Sequence, residues 1–291
     1  MNTRVEINEE KAKEINEEKN RQRNKKILKI LAWIFIPLFI IFTVSYISLR
    51  YIGNIGIVVR EYPIYGVPKD FDGVKIVQFS DIHYNDFLSK DKLEEMVSKI
   101  NRTNPDIVIF TGDLIDSNYN LLESDKEFFI DLLNRISSTM GKYAIKGEDD
   151  FEDFENIMSN AGFEILSTNT KIYKNESSID LIVLEGNEKI PTAISNYSIV
   201  ITHKPDSIDS IIDELKPNLV LAGHSHNGQV RLPIIGPVMK RIGSKKYIDS
   251  YYKINDTELI ISGGIGNVKY NFRLFNHPSI NFLRLKSKSN K

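Results

Sequence analysis

Four of the five histidines in this 291-residue chain follow directly on short β-branched runs, as does a series of carboxylates. VKIVQF leads into Ser80-Asp81-Ile82-His83, DIVIFT into Gly112-Asp113-Leu114-Ile115-Asp116, and YAIK into Gly147-Glu148-Asp149-Asp150. SIVIT leads into His203, and NLVLA into Gly223-His224-Ser225-His226. Singly, a D-x-H or an H-x-H is ordinary polar packing. Jointly, carboxylates crowded at one place repel one another unless a cation sits among them. The chain has no cysteine, which excludes disulfides, thiolate nucleophiles and sulfur-built zinc sites. Imidazole and carboxylate without sulfur suit Mn, Fe or Zn rather than Ca or Mg. About eight donors are too many for one tetrahedral ion and suit two.

These groups meet only if the elements before them line up. Val74–Phe79, Asp106–Thr111, Tyr143–Lys146, Ile179–Leu184, Ser198–Thr202, Asn218–Ala222 and Glu258–Ser262 read as strands. Lys90–Arg102, Lys126–Ser137 and a stretch near Phe151–Ala161 carry apolar residues at helical spacing. Strand and helix in alternation predict an α/β fold with parallel pairing and right-handed crossovers. In such sheets the carboxyl ends of the strands share one edge, where ligands bind. Donors more than 140 positions apart are thus expected in one pocket.

The start of the chain is of another kind. Residues 1–29 are a solvated polar tail dense in Glu, Lys, Arg and Asn, with a helix as one option for it. Residues 30–49 run ILAWIFIPLFIIFTVSYISL without a charge, about the 20 apolar residues that span a bilayer. Pro37 is tolerated in lipid, and Trp33 and Tyr46 lie near the two ends, where aromatic belts form. The rival reading is a cleaved signal peptide, but the run is long for one and no small-x-small site follows Leu49. Lys19, Arg21, Arg23, Lys25, Lys26 and Lys29 on one flank outnumber Arg50, Arg60 and Lys69 on the other. That bias predicts a single-pass protein of the cell membrane, N-terminus cytoplasmic and the rest extracytoplasmic. Residues 55–286 are the expected globular domain, and 287–291 a flexible tail. Net charge is −1, so no nucleic acid partner is expected.

The order D-x-H, GD-x-x-D, a G-x-x-D turn, a lone His before Pro-Asp, then GHSHNGQVRLP resembles the calcineurin-like metallophosphoesterases. Within them it is most similar to the membrane-associated bacterial phosphodiesterase branch, over roughly residues 57 to 285. Gly264-Ile265-Gly266, Arg273 and Pro278 are similar as well. The resemblance implies a four-layer α-β-β-α sandwich binding two divalent metal ions (Mn, Fe or Zn). It implies that Asp81, His83 and His226 hold the first, Asp113 bridges, and His203 and His224 hold the second. It implies a metal-dependent phosphoric ester hydrolase, either a phosphodiesterase or a pyrophosphate-type hydrolase, in which a metal-bound hydroxide attacks phosphorus in line. The substrate expected at a membrane is an envelope lipid or a nucleotide-linked precursor.

One motif departs from that family. Its third motif reads Gly-Asn-His-Asp or Gly-Asn-His-Glu, the Asn a metal ligand and the His a partner of the departing oxygen; here it is Gly147-Glu148-Asp149-Asp150. Glu148 can still donate an oxygen to metal. Asp149 puts an anion where the family has an imidazole, and a lost general acid costs about 10² to 10⁴ in rate. The alternative is therefore a degenerate domain that binds metal or phosphate without turnover. Asp149 and Asp116 are the candidate catalytic groups, Asp116 with an equal case for capping its own turn. Asp206 reads as a helix N-cap, Gln229 and Arg231 as surface residues, and Gly263-Gly264-Ile265-Gly266 as a turn near the site.

Overall fold

The computed structural model describes residues 4–51, 56–150, 152–167, 169–184 and 196–287. The chain divides into two compact units, Met1–Asn54 and Ile55–Lys291. The first holds one helix, α1 (Arg4–Tyr51), with Pro37 inside it. Its Lys13–Val44 part contains a stretch long and apolar enough to cross a membrane, and none of that stretch is buried. Trp33 stands exposed. Residues 4–29, read as a tail, continue the same helix. Glu, Lys, Arg and Gln are good helix formers, and a helix already nucleated extends at little cost. The side chains of Tyr46 and Arg50, the Phe151 start of the third expected helix and the 288–291 part of the tail lie outside the described residues.

In chain order the second unit begins with β1 (Val58–Val67), β2 (Lys75–Phe79), α2 (Lys90–Arg102), β3 (Ile107–Thr111), α3 (Glu123–Asn134), β4 (Gly141–Ile145), α4 (Asp153–Asn160) and β5 (Glu164–Ile165). It continues with β6 (Thr170–Lys174), β7 (Ser177–Val183), β8 (Ser198–Thr202), α5 (Ile212–Leu215), β9 (Leu219–Ala222), β10 (Arg231–Leu232), β11 (Gly236–Pro237), β12 (Tyr251–Ile254), β13 (Thr257–Ile261) and β14 (Ser279–Ser287). Two six-stranded sheets result, in the orders β1-β14-β2-β3-β4-β5 and β12-β13-β9-β8-β7-β6.

Three apolar clusters define four layers. Val77, Phe79, Val108 and Phe110 face Leu93, Met96, Phe129 and Ile157 of the helices. Their neighbours Ile76, Ile107 and Ile109 face Leu181, Ile199, Ile201 and Leu221 of the second sheet. Val200, Val220 and Ile261 back onto Ile208, Ile211 and Tyr247. The central strands are buried on both faces, which is why they read as mostly apolar runs without alternation. The expected α-β-β-α order is present.

Parallel pairing holds for β2-β3-β4-β5 and for β7-β8-β9-β13. It breaks at β14, which lies antiparallel to β2 and parallel to β1, and at the hairpins β6-β7 and β12-β13. Both strands flanking β2 on that side come from the ends of the domain, so local spacing carries no sign of them.

Candidate metal centre

The donors do meet, but from the strand ends of two sheets rather than along the edge of one. Asp81 and His83 leave β2, Asp113 leaves β3, Glu148, Asp149 and Asp150 leave β4, His203 leaves β8, and His224 and His226 leave β9. Asp81 Oδ1 lies 3.4 Å from His226 Nε2 and 3.8 Å from His83 Nε2. Asp113 Oδ2 lies 3.2 Å from His83 Nε2 and 3.1 Å from His203 Nε2. His224 Nδ1 is 3.2 Å from His203 Nε2. Three groups bring candidate ligand atoms within 4.8 Å of one another: Asp81-His83-His226, Asp113-His203-His224 and His83-Asp113-Asp149. Their members are buried apart from the half-buried Asp149.

The backbone bends sharply to do this. Asp81, His83, Asp113, His224 and His226 have φ of 51°, 41°, 62°, 65° and 47°, the left-handed region that non-glycine residues avoid. Each costs on the order of 1–3 kcal/mol, a load that clusters at functional sites. Two glycines allow the loops to touch. A Cβ on Gly112 would come 2.6 Å from Gly147 Cα and 2.8 Å from His203 Nδ1, and one on Gly147 would run into the Asp113 carboxylate.

Hydrogen bonds orient the rings for ligation. His203 Nδ1–H donates to Thr111 O at 2.8 Å, which turns Nε2 toward Asp113. His224 Nε2–H donates to Ile242 O at 2.8 Å, which turns Nδ1 inward. His226 differs: Arg273 Nη2 lies 3.2 Å from its Nδ1, so the neutral ring carries its proton on Nε2, facing Asp81. A cation on that nitrogen would require the proton to move to Nδ1 and the Arg273 guanidinium to give way.

Charge at the centre is divided unevenly. Burial would lower the His83 pKa, but Asp113 and Asp81 outweigh it and push the ring up to about 10. The same opposition raises His203 to about 9. Burial takes His224 down to about 4, with Arg241 and His203 adding to it, and takes His226 down to about 3 against the pull of Asp81. Asp81 and Asp113 are held well below the usual carboxylate range by their histidine neighbours, despite burial.

Buried polar atoms without a hydrogen-bond partner cluster here: His83 Nδ1 and Nε2, Asp113 Oδ2 and His226 Nε2. Leaving such a group unpaired costs about 1–3 kcal/mol. Cations would satisfy them, so the donor set fits divalent metal.

The third motif behaves less simply. Glu148 Oε1 is 3.3 Å from His224 Nδ1, at the edge of the second group, but the side chain is partly exposed and paired with two cations. Lys204 Nζ is 2.7 Å from Oε2 and Arg241 Nη2 is 2.9 Å from Oε1. Burial raises its pKa and Lys204, His224 and Arg241 lower it, the net shift being downward. Asp149 Oδ2 stands 3.5 Å from His83 Nδ1 and 4.0 Å from Arg241 Nη2, and its backbone N–H donates to Asp113 Oδ1 at 3.0 Å.

Asp150 was given no role by the sequence, yet it ties the centre together. Its carboxylate accepts from the backbone N–H groups of Gly147, Asp113 and Leu114 at 2.7, 2.9 and 2.7 Å. Burial pushes its pKa up to about 6. Its place as the closing carboxylate of the motif was the available signal. Lys204 and Arg241 carried none, since each meets Glu148 across a large gap in sequence.

Asp116 joins none of the three groups. It accepts from Asn118 N–H at 3.0 Å, closing its own turn, and lines an open cleft of about 380 Å³ together with Asp149, Phe87, Tyr119, Lys269 and Tyr270.

One surface reading and one capping reading are corrected. Gln229 is buried: its Nε2 donates to Val268 O, Tyr270 O and Phe272 O, and its Oε1 accepts from Val268 N–H, pinning the 268–272 loop. Asp206 caps no helix but accepts from the N–H groups of Lys245, Lys246 and Tyr247. Arg231 is half-buried and pairs with Asp249 at 2.6 Å. His277 is exposed and belongs to none of the three groups. Gly264, at φ 67°, does turn the chain beside His226.

A sequence model of the calcineurin-like phosphoesterase family matches residues 74–228. The uncharacterized metallophosphoesterase YkuE of Bacillus subtilis (strain 168) is 30% identical over 237 residues, 76% of this chain and 82% of that one. The transmembrane protein with metallophosphoesterase domain of Danio rerio is 26% identical over 255 residues, 78% of this chain and 56% of its own length. The phosphodiesterase YaeI of Escherichia coli (strain K12) is 23% identical over 227 residues, 72% of this chain and 82% of that one.

Proposed function

Because the chain belongs to the calcineurin-like phosphoesterase family, we propose that it is a membrane-anchored, dinuclear-metal phosphodiesterase or pyrophosphate-type hydrolase. The observation that carries this is the meeting of Asp81, His83 and Asp113 from the first sheet with His203, His224 and His226 from the second, buried, with unpartnered donor atoms among them. Asp81, His83 and His226 would hold one cation, His203, His224 and Glu148 the other, and Asp113 both. When bound, the pair would supply the Lewis acidity that polarises a phosphoryl oxygen and acidifies a water.

The chain's own residues do the rest. Thr111 O and Ile242 O fix the rings of His203 and His224. Asp149 stands 3.5 Å from His83 Nδ1, a charged neighbour of the ring that makes no hydrogen bond to it. Asp150 holds the Gly147 and Asp113 loops at a fixed separation. Lys204 and Arg241 put two positive charges on the rim, opposite the negative charges that Glu148 and Asp149 add. With no imidazole in the third motif, the substrates favoured are those whose leaving group needs little protonation, such as aryl or pyrophosphate-linked esters. The apolar helix supports a single-pass anchor, with the N-terminus cytoplasmic and the domain extracytoplasmic on the charge bias of its flanks. The substrate is then an envelope lipid or a nucleotide-linked envelope precursor.

The second reading is a domain that binds metal or phosphate without turnover, and Asp149 in the third motif favours it. The full-length protein in detergent, loaded with Mn²⁺ and assayed on a bis-aryl phosphodiester beside Asp113→Asn, separates the two. Hydrolysis that vanishes in the variant supports the enzyme. Equal background rates for both exclude it.

A further inference from the structure

Among the described residues from 56 to 287, thirteen large apolar side chains stand exposed, and five fall within the eleven positions from 232 to 242: Leu232, Ile234, Ile235, Val238 and Ile242. The stretch is built on the β10-β11 hairpin, which pairs Arg231 with Pro237 and Leu232 with Gly236. At its tip Ile234 is wholly exposed, at 107%. It also has φ 71°, in the left-handed region. A turn position of that kind favours glycine or asparagine, and a β-branched side chain is the least suited to it. Ile234 therefore buries nothing and works against its own backbone. Folding gives no reason for it, and an outlier of that sort points to use.

Charge and support point the same way. From residue 227 to 248 there is no Asp or Glu and there are five basic residues; Arg231, Arg241 and Lys246 pair with Asp249, Glu148 and Asp209, and the charge offered outward is that of Lys240 and Lys245. Lys240 and Lys245 are exposed. The base of the segment is fixed: Ile242 O accepts from His224, Arg241 reaches Glu148, and Asp206 holds the 245–247 backbone. An apolar tip on a held base with basic flanks matches the lipid–water interface, where apolar groups enter the acyl boundary and Lys meets anionic headgroups.

We propose that the 231–242 hairpin is a second membrane contact, with Ile234 and Ile235 entering the interfacial layer of the bilayer that holds α1. The proposal rests on the membrane-anchor reading and not on turnover. Arg241 and Ile242 belong to both the hairpin and the rim of the metal centre, so docking brings that rim to the headgroup layer. The substrate class this favours is a phosphodiester presented at the layer's surface.

The absence of cysteine allows a clean test on the full-length chain. Single variants Ile234→Cys, Tyr173→Cys (exposed on β6, at the far edge of the second sheet) and Phe39→Cys (in α1) are labelled with an environment-sensitive fluorophore. Each is reconstituted into phosphatidylcholine vesicles carrying doxyl-labelled lipid, with and without phosphatidylglycerol. The expected result is quenching at 234 about twofold or more above that at 173, increasing with phosphatidylglycerol. Equal quenching at 234 and 173, with 39 quenched, overturns the hairpin contact and leaves the anchor standing. Quenching at 234 but not at 39 refutes the anchor and, with it, a second contact on the bilayer that holds α1. A difference that ignores phosphatidylglycerol removes the role given to Lys240 and Lys245. A tip shielded by a second copy of the chain, with no lipid quenching, overturns the membrane as the occupant.

Discussion

Uptake of metal should expel protons, and the structure sets how many. In the chelator-stripped protein His83 and His203 sit at about 10 and about 9, whereas His224 and His226 sit at about 4 and about 3. At pH 7.5 two of the four rings are therefore charged and two are neutral. A cation takes the ring nitrogen only after its proton leaves. Filling the centre at pH 7.5 should release about two ring protons, whereas four imidazoles with the usual pKa near 6.5 would release about 0.4. Below pH 9 the apparent affinity should climb about a hundredfold per pH unit, with the slope falling to nothing above about pH 10.

The stripped protein should run the other way. Both raised histidines contribute stability that is complete below pH 6.5, the unfolded value, and is lost as pH rises through about 9 and then about 10. Chelation should therefore destabilise the protein more at pH 9 than at pH 7. Titration calorimetry with Mn²⁺ in two buffers of different ionisation enthalpy counts the protons, and ring ¹³C shifts assign them to His83 and His203. Release near 0.4 at pH 7.5, with both rings titrating near 6.5, would refute the charge distribution.

Asp150→Asn leaves at least one of three buried N–H groups without an acceptor, and should cost about 2–3 kcal/mol in a denaturant titration of the domain transition; an unchanged midpoint would mean that the two loops hold together without it. Gly147→Ala drives a methyl group into the Asp113 carboxylate. It should lower stability by about 1–3 kcal/mol and halve or abolish bound metal by elemental analysis, and normal metal content would contradict the close approach of the loops. Asp149→His should raise turnover on alkyl phosphodiesters by about tenfold or more while changing aryl esters little, and equal effects on both would place residue 149 away from the departing oxygen. Arg241→Ala removes a cation from the rim and should raise KM for an anionic diester more than it lowers kcat, with partial recovery in Arg241→Lys; a pure loss of kcat would assign the guanidinium to the reacting atoms instead.

Much of this molecule is encoded locally. The runs at 75–79, 107–111, 198–202 and 219–222 are mostly apolar because both sheet faces are covered and every position but Lys75 is buried, and a donor just beyond the end of each is visible in one dimension. Parallel strands place the ends within each sheet on one edge, so candidate donors are legible before folding, but gathering them takes both sheets. The apolar stretch of α1 was equally plain, since length and hydropathy are sums over neighbouring residues. Its continuation to Arg4 was not, because extension of an existing helix depends less on periodicity than on propensity.

What the tertiary structure decided is every relation between residues whose separation is set by strand order. β14 lies between β1 and β2 because the end of the chain returns to its beginning. Glu148 meets Lys204 after β8 and Arg241 after β11, so the expected ligand is also a partly exposed, doubly paired carboxylate. Gln229 and Asp206 read as surface and cap because polar residues usually are, but here loops close over them and their hydrogen-bonding groups take up backbone. The left-handed Ile234 looked like any apolar residue beside a proline. Periodicity records which face of an element is dry; only the packed sheets determine which loops meet at their ends and which side chain is left facing outward.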